Sequence, residues 1–217
     1  MNNNQDIQDD FPIHTGQVKS TLINNSAKES SELCQECSMC CTGVIFSHVT
    51  ISKNAHNRLP QAKGKIKGGN FKMSFPCQYI QEGSCTVYTE RPNRCKTYSC
   101  KLLDKVISGE IPFEQANQIT TTTKKQVELL RATIALILNI ETTNATLQRN
   151  FRNDLHSVHK LFSDRFNGTT DPIFETYEIE FCLHTLDFIK GLYTYFYESS
   201  LLEKYNNLVI RVSSNNN

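Results

Sequence analysis

The sequence has no uninterrupted apolar stretch of the roughly 18 residues that a membrane-crossing helix requires. Its nearest approach, Leu129–Ile140, is interrupted by Arg131, Thr133 and Asn139, so a membrane span is not expected. The N-terminus also lacks the positive start and the apolar centre of a secretory signal. We therefore expect the chain in the cytoplasm, where thiols stay reduced and disulfides are rare.

Several motifs of known chemistry are missing as well. The sequence contains no Cys-x3-Cys-x2-Cys run for radical chemistry, no Gly-x-Gly-x-x-Gly fingerprint and no His-Glu-x-x-His pattern. Gly64–Gly69 lacks the Lys-Ser or Lys-Thr ending of a phosphate-binding loop, which favours a mobile hairpin loop. His156 and His159 lie three residues apart, but no carboxylate pattern completes a hydrolytic site beside them. No catalytic residue is assigned, and whether the chain is an enzyme stays open.

The charge is nearly balanced, with a net charge of +1, but it is unevenly distributed. Residues 1–33 carry −3, residues 34–112 carry +6 and residues 113–217 carry −2. A basic segment can attract nucleic acid. However, no aromatic platform or helical basic stripe accompanies these lysines, so a nucleic-acid partner is not expected. We interpret the positive charge as compensation for anionic thiolates together with ordinary solvated lysines.

Cysteine is concentrated in one part of the chain. Of the 9 cysteines, eight lie between residues 34 and 100. Cys-x2-Cys spacing lets two thiolates reach one metal while the backbone amides between them donate to sulfur. The sequence therefore predicts a metal site made by Cys34, Cys37, Cys40, Cys41, Cys77, Cys85, Cys95 and Cys100.

Eight thiolates suffice for two four-coordinate sites or for one polynuclear cluster, and the sequence does not show which cysteines share a centre. Successive Cys-x2-Cys spacings resemble the loop around a four-iron cluster, whereas zinc ribbons use two separate knuckles. An iron–sulfur cluster is therefore mildly favoured over zinc. Cys40 and Cys41 are adjacent, and extended backbone would point their side chains apart, which favours different sites for the two. Cys182 is expected to be a buried core thiol.

One family shares this arrangement of residues. The run Cys34-x2-Cys37-x2-Cys40-Cys41, followed by Cys77, Cys85-x2-Tyr88-x2-Arg91-Pro92-x2-Cys95 and Cys100, resembles the YkgJ-type cysteine-cluster family, the CxxCxxCC zinc- or iron-chelating domain. The similarity covers roughly residues 30–105. It implies a metal-binding protein, with electron transfer or metal handling as its role. A related module in flagellin lysine N-methylases implies the alternative of a protein-modifying or redox enzyme that uses an iron–sulfur centre.

Tyr88 and Arg91 are the residues that we expect to bind the cofactor beside the cysteines. A guanidinium group donates hydrogen bonds to thiolate or sulfide, and the following Pro92 stiffens the turn. The alternative interpretation is an ordinary surface arginine that caps a loop.

The predicted fold class is α+β with little strand, in which a small irregular cysteine-rich module precedes an α-helical bundle of about three helices. The predicted boundaries are a disordered tail over 1–32, the cysteine-rich module over 33–110, the helical region over 111–210 and a frayed tail over 211–217. The helical region is where we expect a protein partner to bind. The module itself has too few apolar residues to fold without metal.

Local patterns predict the elements within these regions. Val44–Phe46 and Val49–Ile51 are β-like, and Phe75–Tyr88 is typical of a hairpin that brings Cys77 and Cys85 together. Apolar residues at spacings of three and four predict three helices in the helical region. They cover Phe113–Ile140, Leu147–Phe162 and a stretch that begins at Asp171 and Pro172.

Overall fold

The computed structural model of the chain describes residues 23–140, 149–168, 173–196 and 201–214. These residues are mainly helical and contain little strand, which confirms the mixed character predicted from the sequence. The helices are α1 (Ile23–Cys37), α2 (Lys53–Asn57), α3 (Asn93–Thr97), α4 (Lys101–Ile107), α5 (Phe113–Ile137), α6 (Phe151–Gly168), α7 (Thr176–Tyr195) and α8 (Leu201–Ser214), with one 3-10 turn at Tyr88–Glu90. The strands are β1 (His48–Ile51), β2 (Gly64–Lys67), β3 (Asn70–Ser74), β4 (Ile80–Gln81) and β5 (Ser84–Cys85).

No helix among the described residues is long and apolar enough to cross a membrane.

The larger sheet has the antiparallel order β1-β3-β2. Its register places Val49 opposite Met73 and Ile51 opposite Phe71, so that the apolar residues of both strands share one buried face. Gly68 and Gly69 form the turn between β2 and β3, and both have a positive φ, which glycine adopts without steric cost. The strand predicted near Val49 and the hairpin predicted at 64–69 are therefore confirmed.

The second sheet pairs β4 with β5 and confirms the hairpin predicted within 75–88, although each strand is only two residues long. The β-like prediction at Val44–Phe46 is wrong. The amides of Val44 and Ile45 both donate to the carbonyl of Met39, at 3.0 and 3.3 Å. These bonds close a tight loop after α1 instead of a strand ladder.

Helix α1 includes residues 23–32, which belong to the segment predicted as a disordered tail, and residues 1–22 lie outside the described residues. This segment is rich in Asn and Ser, which form helices poorly by themselves. Its contacts are tertiary: α1 packs against α4 and α5, and Leu33 is buried. Burial on neighbouring helices outweighs the weak propensity of the segment.

The helical region contains four described helices instead of about three. Helix α5 confirms the first prediction, whereas Leu147, Asp171 and Pro172 lie outside the described residues. Helix α7 begins later than expected, at a capping box formed by Glu175 and Glu178. The prediction did not include α8, whose buried residues Tyr205, Leu208 and Val212 follow the helical period. Helix α8 continues to Ser214 and so extends into the segment predicted as a frayed tail.

One continuous hydrophobic core runs through both regions. The cysteine-rich module contributes more to it than the sequence analysis expects, including Ile45, Phe71, Met73, Phe75 and Tyr79, all buried. The expectation of a module too poor in apolar residues therefore needs correction, since its side chains bury against those of the helical region.

Polar contacts join the two regions where α6 begins. The side-chain amide of Asn150 donates to the carbonyls of Phe46 and Phe75, at 3.3 and 3.1 Å. Arg152 donates to the carbonyl of Ile45 at 3.1 Å. Gly43, with φ +79°, passes so close that an added Cβ would lie 2.7 Å from the Asn150 amide nitrogen. The loop that carries the end of the first cysteine run is thereby held against α6.

Candidate metal centre

The eight clustered cysteines come from separate elements of the cysteine-rich module. Cys34 and Cys37 lie on the last turn of α1, where a spacing of three places them on one face. Cys40 and Cys41 lie in the turns that follow it. The other four lie before β4 (Cys77), on β5 (Cys85), on α3 (Cys95) and at the N-cap of α4 (Cys100).

All nine cysteines are free thiols. Within the cluster Cys34 is exposed and the other seven are half-buried. Burial, with a smaller contribution from neighbouring thiolates, raises the pKa of Cys95 to about 12. The same two causes raise the pKa values of Cys40 and Cys41 well above the usual range. The pKa of Cys37 rises to about 12 for the same reasons, although a backbone hydrogen bond opposes the rise.

A small cavity lies at the end of α1. Its volume is about 50 Å³, and its lining includes the five cysteines Cys34, Cys37, Cys40, Cys41 and Cys100. Apolar side chains from α4, with Tyr98 and Phe196, complete its wall. Space of this size holds a few atoms and is far smaller than the roughly 300–1,000 Å³ of a usual small-molecule pocket.

Backbone contacts bring Cys77 and Cys85 close to Cys41. The amide of Cys77 donates to the carbonyl of Cys41 at 2.7 Å, which joins the first cysteine run to the later one. The register of the second sheet sets Cys85 opposite Ile80, whose amide donates to the Cys77 carbonyl at 3.2 Å. The predicted approach of Cys77 and Cys85 is therefore present in the fold.

Backbone amides donate to several of the sulfur atoms. The Leu103 amide lies 3.4 Å from the Cys100 sulfur at the start of α4. The amides of Met39 and Tyr79 donate to Cys37 and Cys77 and lower the pKa of these thiols against the larger opposing effect of burial. Such bonds stabilise thiolates and adjust the electronic properties of a metal that they bind.

Arg91 and Tyr88 stand beside the exposed edge of the cluster. The Arg91 side chain donates to the Tyr88 carbonyl at 2.9 Å, and its guanidinium carbon lies 3.5 Å from the centre of the Tyr88 ring. Ser31 donates to the Tyr88 hydroxyl at 2.9 Å and so fixes this ring to α1. Arg91 also hydrogen-bonds the Cys34 thiol and lowers the pKa values of Cys34 and Cys95, whereas burial raises both more strongly. Arg91 therefore lies next to Cys34, and its binding of a cofactor stays a prediction.

Two neighbours of the cluster, Lys124 and Tyr98, are not among the residues predicted from the sequence. Lys124 on α5 donates to the Glu36 carbonyl at 3.0 Å and slightly lowers the pKa of Cys37. Because Lys124 is far from Glu36 in the sequence, no local sequence pattern predicts this contact. Tyr98 packs edge-on against Phe46 at 5.2 Å, and burial followed by nearby thiolates raises its pKa. Its position between the last two cysteines of the cluster was the available signal.

Cys182 lies on α7 with 1 % of its surface exposed, which confirms the expected buried core thiol. It is separated from the cluster by its place in the helical region.

The described residues contain no group of three His, Cys, Asp or Glu side chains arranged closely enough to hold a metal ion. The thiols of the cluster are neighbours, but their sulfur atoms do not converge on a point. The donor chemistry nevertheless fits a soft or borderline metal, because eight thiols share one region with backbone and guanidinium donors aimed at them.

Comparison with known families agrees with this chemistry. Residues 33–128 match the model of the CxxCxxCC family, described as "Putative zinc- or iron-chelating domain". The match confirms the resemblance found in the sequence, over less than half of the 217 residues, and supports metal binding in general. The description does not choose between zinc and iron. No curated protein and no solved structure matches the chain.

Proposed function

We propose that Cys34, Cys37, Cys40, Cys41, Cys77, Cys85, Cys95 and Cys100 bind metal as thiolates, and that the chain serves electron transfer or metal handling. The observation that carries the proposal is the gathering of eight free thiols, from separate helices, strands and turns, into one region of the fold. A thiol buried without a partner contributes only as a small apolar group. That role does not explain why eight thiols gather in one region of the fold.

Within this proposal an iron–sulfur cluster is favoured over zinc. Iron–sulfur potentials depend on hydrogen bonds to sulfur and on exposure to solvent. Amides beside Cys37, Cys77 and Cys100 and the guanidinium of Arg91 supply such bonds. A bound cluster would provide one-electron chemistry, while these protein groups would orient the thiolates and limit the access of water. A structural or stored zinc ion is the competing form.

Matched serine variants test the proposal. Cys40→Ser and Cys95→Ser are expected to lower the metal content of protein purified without oxygen. Cys182→Ser, the control, is expected to leave metal content and visible absorption unchanged because that thiol lies in the helical core. Equal metal content in all three variants would contradict the proposal.

One observation favours the enzyme alternative. A cleft of about 520 Å³ lies beside Cys77 and is lined by Thr42, Lys63 and residues 74–78. Its volume falls in the usual range for ligand sites. A protein-modifying or redox enzyme with an open cluster site would show a spectral change when a lysine-containing peptide is added. An unchanged spectrum at saturating peptide would remove this alternative.

The cytoplasmic location, the protein partner of the helical region and the domain boundaries remain predictions from the sequence.

A further inference from the structure

We infer that a cleft at one end of the larger sheet binds a phosphate group, either free or carried by a small molecule. The cleft lies between the end of β1, the start of β3 and the short helices α2 and α3. Its volume is about 310 Å³, at the lower limit of the roughly 300–1,000 Å³ of usual small-molecule sites. The inference goes beyond the proposed metal-binding function and does not depend on it.

Two arginines from different elements line this cleft. Arg58 is the C-cap residue of α2, and Arg94 lies on α3. Among the residues that the structure describes, neither guanidinium group has a hydrogen bond or an ion pair within the protein. A guanidinium group binds phosphate through two parallel hydrogen bonds. The donors of both arginines are therefore available to an anion in the cleft.

The rest of the polar lining is neutral. Asn70 at the start of β3 and Asn93 on α3 carry amide donors, and Thr50 on β1 carries a hydroxyl group. The described lining contains no carboxylate that would repel an anion. It also contains no aromatic ring on which a nucleic-acid base could stack. This composition favours a phosphate group over a strand of nucleic acid.

The strand register extends the positive charge from the cleft across the sheet. Thr50 lies opposite Lys72 on β3, and Lys72 lies opposite Lys65 on β2. Residues that alternate with this row, such as Val49 and Met73, are buried, so the row lies on the other face of the sheet. Like charges directly opposite each other on neighbouring strands destabilise a sheet. An anion bound beside Thr50 would reduce this repulsion.

Calorimetric titration of the protein with inorganic phosphate tests the inference. The wild type is expected to bind one phosphate per chain. Arg58→Gln/Arg94→Gln removes both guanidinium groups and is expected to lower the affinity about tenfold or more. The matched control, Lys53→Gln/Lys96→Gln, removes two exposed positive charges from the same two helices outside the cleft and is expected to have little effect.

A wild type that does not bind phosphate, or equal losses of affinity in the two double variants, would overturn the inference. Titration with ribose 5-phosphate distinguishes the two sources of the phosphate group. Tighter binding than that of inorganic phosphate would assign the cleft to a phosphorylated small molecule, and weaker binding would assign it to free phosphate. Metal content is measured in parallel, so that protein that binds phosphate but no metal would contradict the proposed function alone.

A labelled single-stranded RNA tests the competing class of ligand. RNA that binds more tightly than either phosphate probe, with an affinity that falls steeply as salt is added, would overturn the inference in favour of nucleic acid. Weak RNA binding that is equal in the two double variants is the expected result.

Arginine modification of the wild-type protein provides a test that does not depend on how variants fold. Phenylglyoxal is applied with and without inorganic phosphate, and the modified residues are located by mass spectrometry. Phosphate is expected to protect Arg58 and Arg94 but not Arg149, whose side chain is 45 % exposed and pairs with Asp154 on α6. Equal protection of all three arginines, or of none, would overturn the site.

Discussion

The cysteine-rich module and the helical region share one hydrophobic core, but they fill their parts of it differently. In the helical region, long helices bury aromatic and aliphatic side chains such as Phe151, Phe162 and Ile189 completely. In the module, short helices and strands bury fewer apolar side chains and set seven half-buried thiols beside them. The stability of the helical region comes from burial of apolar surface, whereas that of the module also depends on what the thiols bind.

The largest expected difference between the two regions is in their response to pH. Burial first, and neighbouring thiolates second, raise the pKa of Cys95 to about 12, so this thiol is protonated at neutral pH in the metal-free fold. Metal must displace such protons, and apparent affinity is therefore expected to fall about tenfold per unit decrease in pH for each proton released. Competition titrations with a chelator at several pH values would measure this. An affinity that is independent of pH would contradict the thiolate assignment.

The stability of the metal-free protein is expected to fall as the pH rises, whereas the affinity for metal is expected to increase with pH. The unfolded thiols ionise near their ordinary value of 9.0, while Cys37 and Cys95 hold their protons to about 12 in the folded chain. The raised pKa values favour the fold below pH 9, and this stabilisation is lost as the pH rises toward 12. Thermal unfolding of metal-free protein is expected to shift to lower temperature over that interval. Metal-loaded protein, whose thiolates are already deprotonated, is expected to shift less.

In the helical region, the largest effect is expected from loss of a buried aliphatic side chain. Leu155 on α6 is 1 % exposed, and Leu155→Ala is expected to lower the free energy of unfolding by about 2–5 kcal/mol. The matched control is Leu129→Ala on α5, where 72 % of the residue is exposed and little change is expected. Urea unfolding measures both. Equal losses in the two variants would contradict the placement of the core.

The junction between the regions is expected to contribute less. Asn150→Ala removes the donor to the Phe46 and Phe75 carbonyls and is expected to cost about 1–3 kcal/mol. Asn153→Ala, at a neighbouring exposed position of α6, is the control. Because Asn150 holds the loop that ends the first cysteine run, its loss is expected to weaken metal binding also. Unchanged metal affinity in Asn150→Ala would show that the regions act independently.

The smallest effect is expected from the arginine beside the cysteines. Arg91→Lys keeps the positive charge but loses the planar group that stacks on Tyr88 and bonds Cys34. Loss of such an outer hydrogen bond is expected to lower metal affinity about tenfold. Arg94→Lys, at an exposed position on α3, provides the control. Equal metal affinities of the two variants would show that Arg91 only caps its loop and does not support metal binding.

The success of sequence prediction follows the strength of the local signal. Periodic apolar residues predicted α5, and turn residues predicted the hairpins that carry Gly68 and Cys85, because these elements depend on contacts within a few residues. Helix α1 was not predicted because its order comes from packing of Leu33 against distant helices. Helix α8 had the helical spacing of Tyr205, Leu208 and Val212, and the prediction overlooked it.

The spacing of the eight cysteines predicts a cluster, but it does not show which of them approach each other in the fold. Cysteines separated by 36 residues or more approach each other only through contacts such as the bond from the Cys77 amide to the Cys41 carbonyl. Spacing also cannot reveal Lys124, which reaches the end of α1 from α5. Contacts of this kind depend on the tertiary fold, and only the structure displays them.

Quantification of iron, zinc and acid-labile sulfide in wild-type protein purified without oxygen tests metal binding most directly. We expect bound metal, with iron and sulfide in comparable amounts and visible absorption if the cluster form is correct, or zinc without colour if it is not. Protein that contains neither metal and in which the eight clustered cysteines react as free thiols would contradict the account.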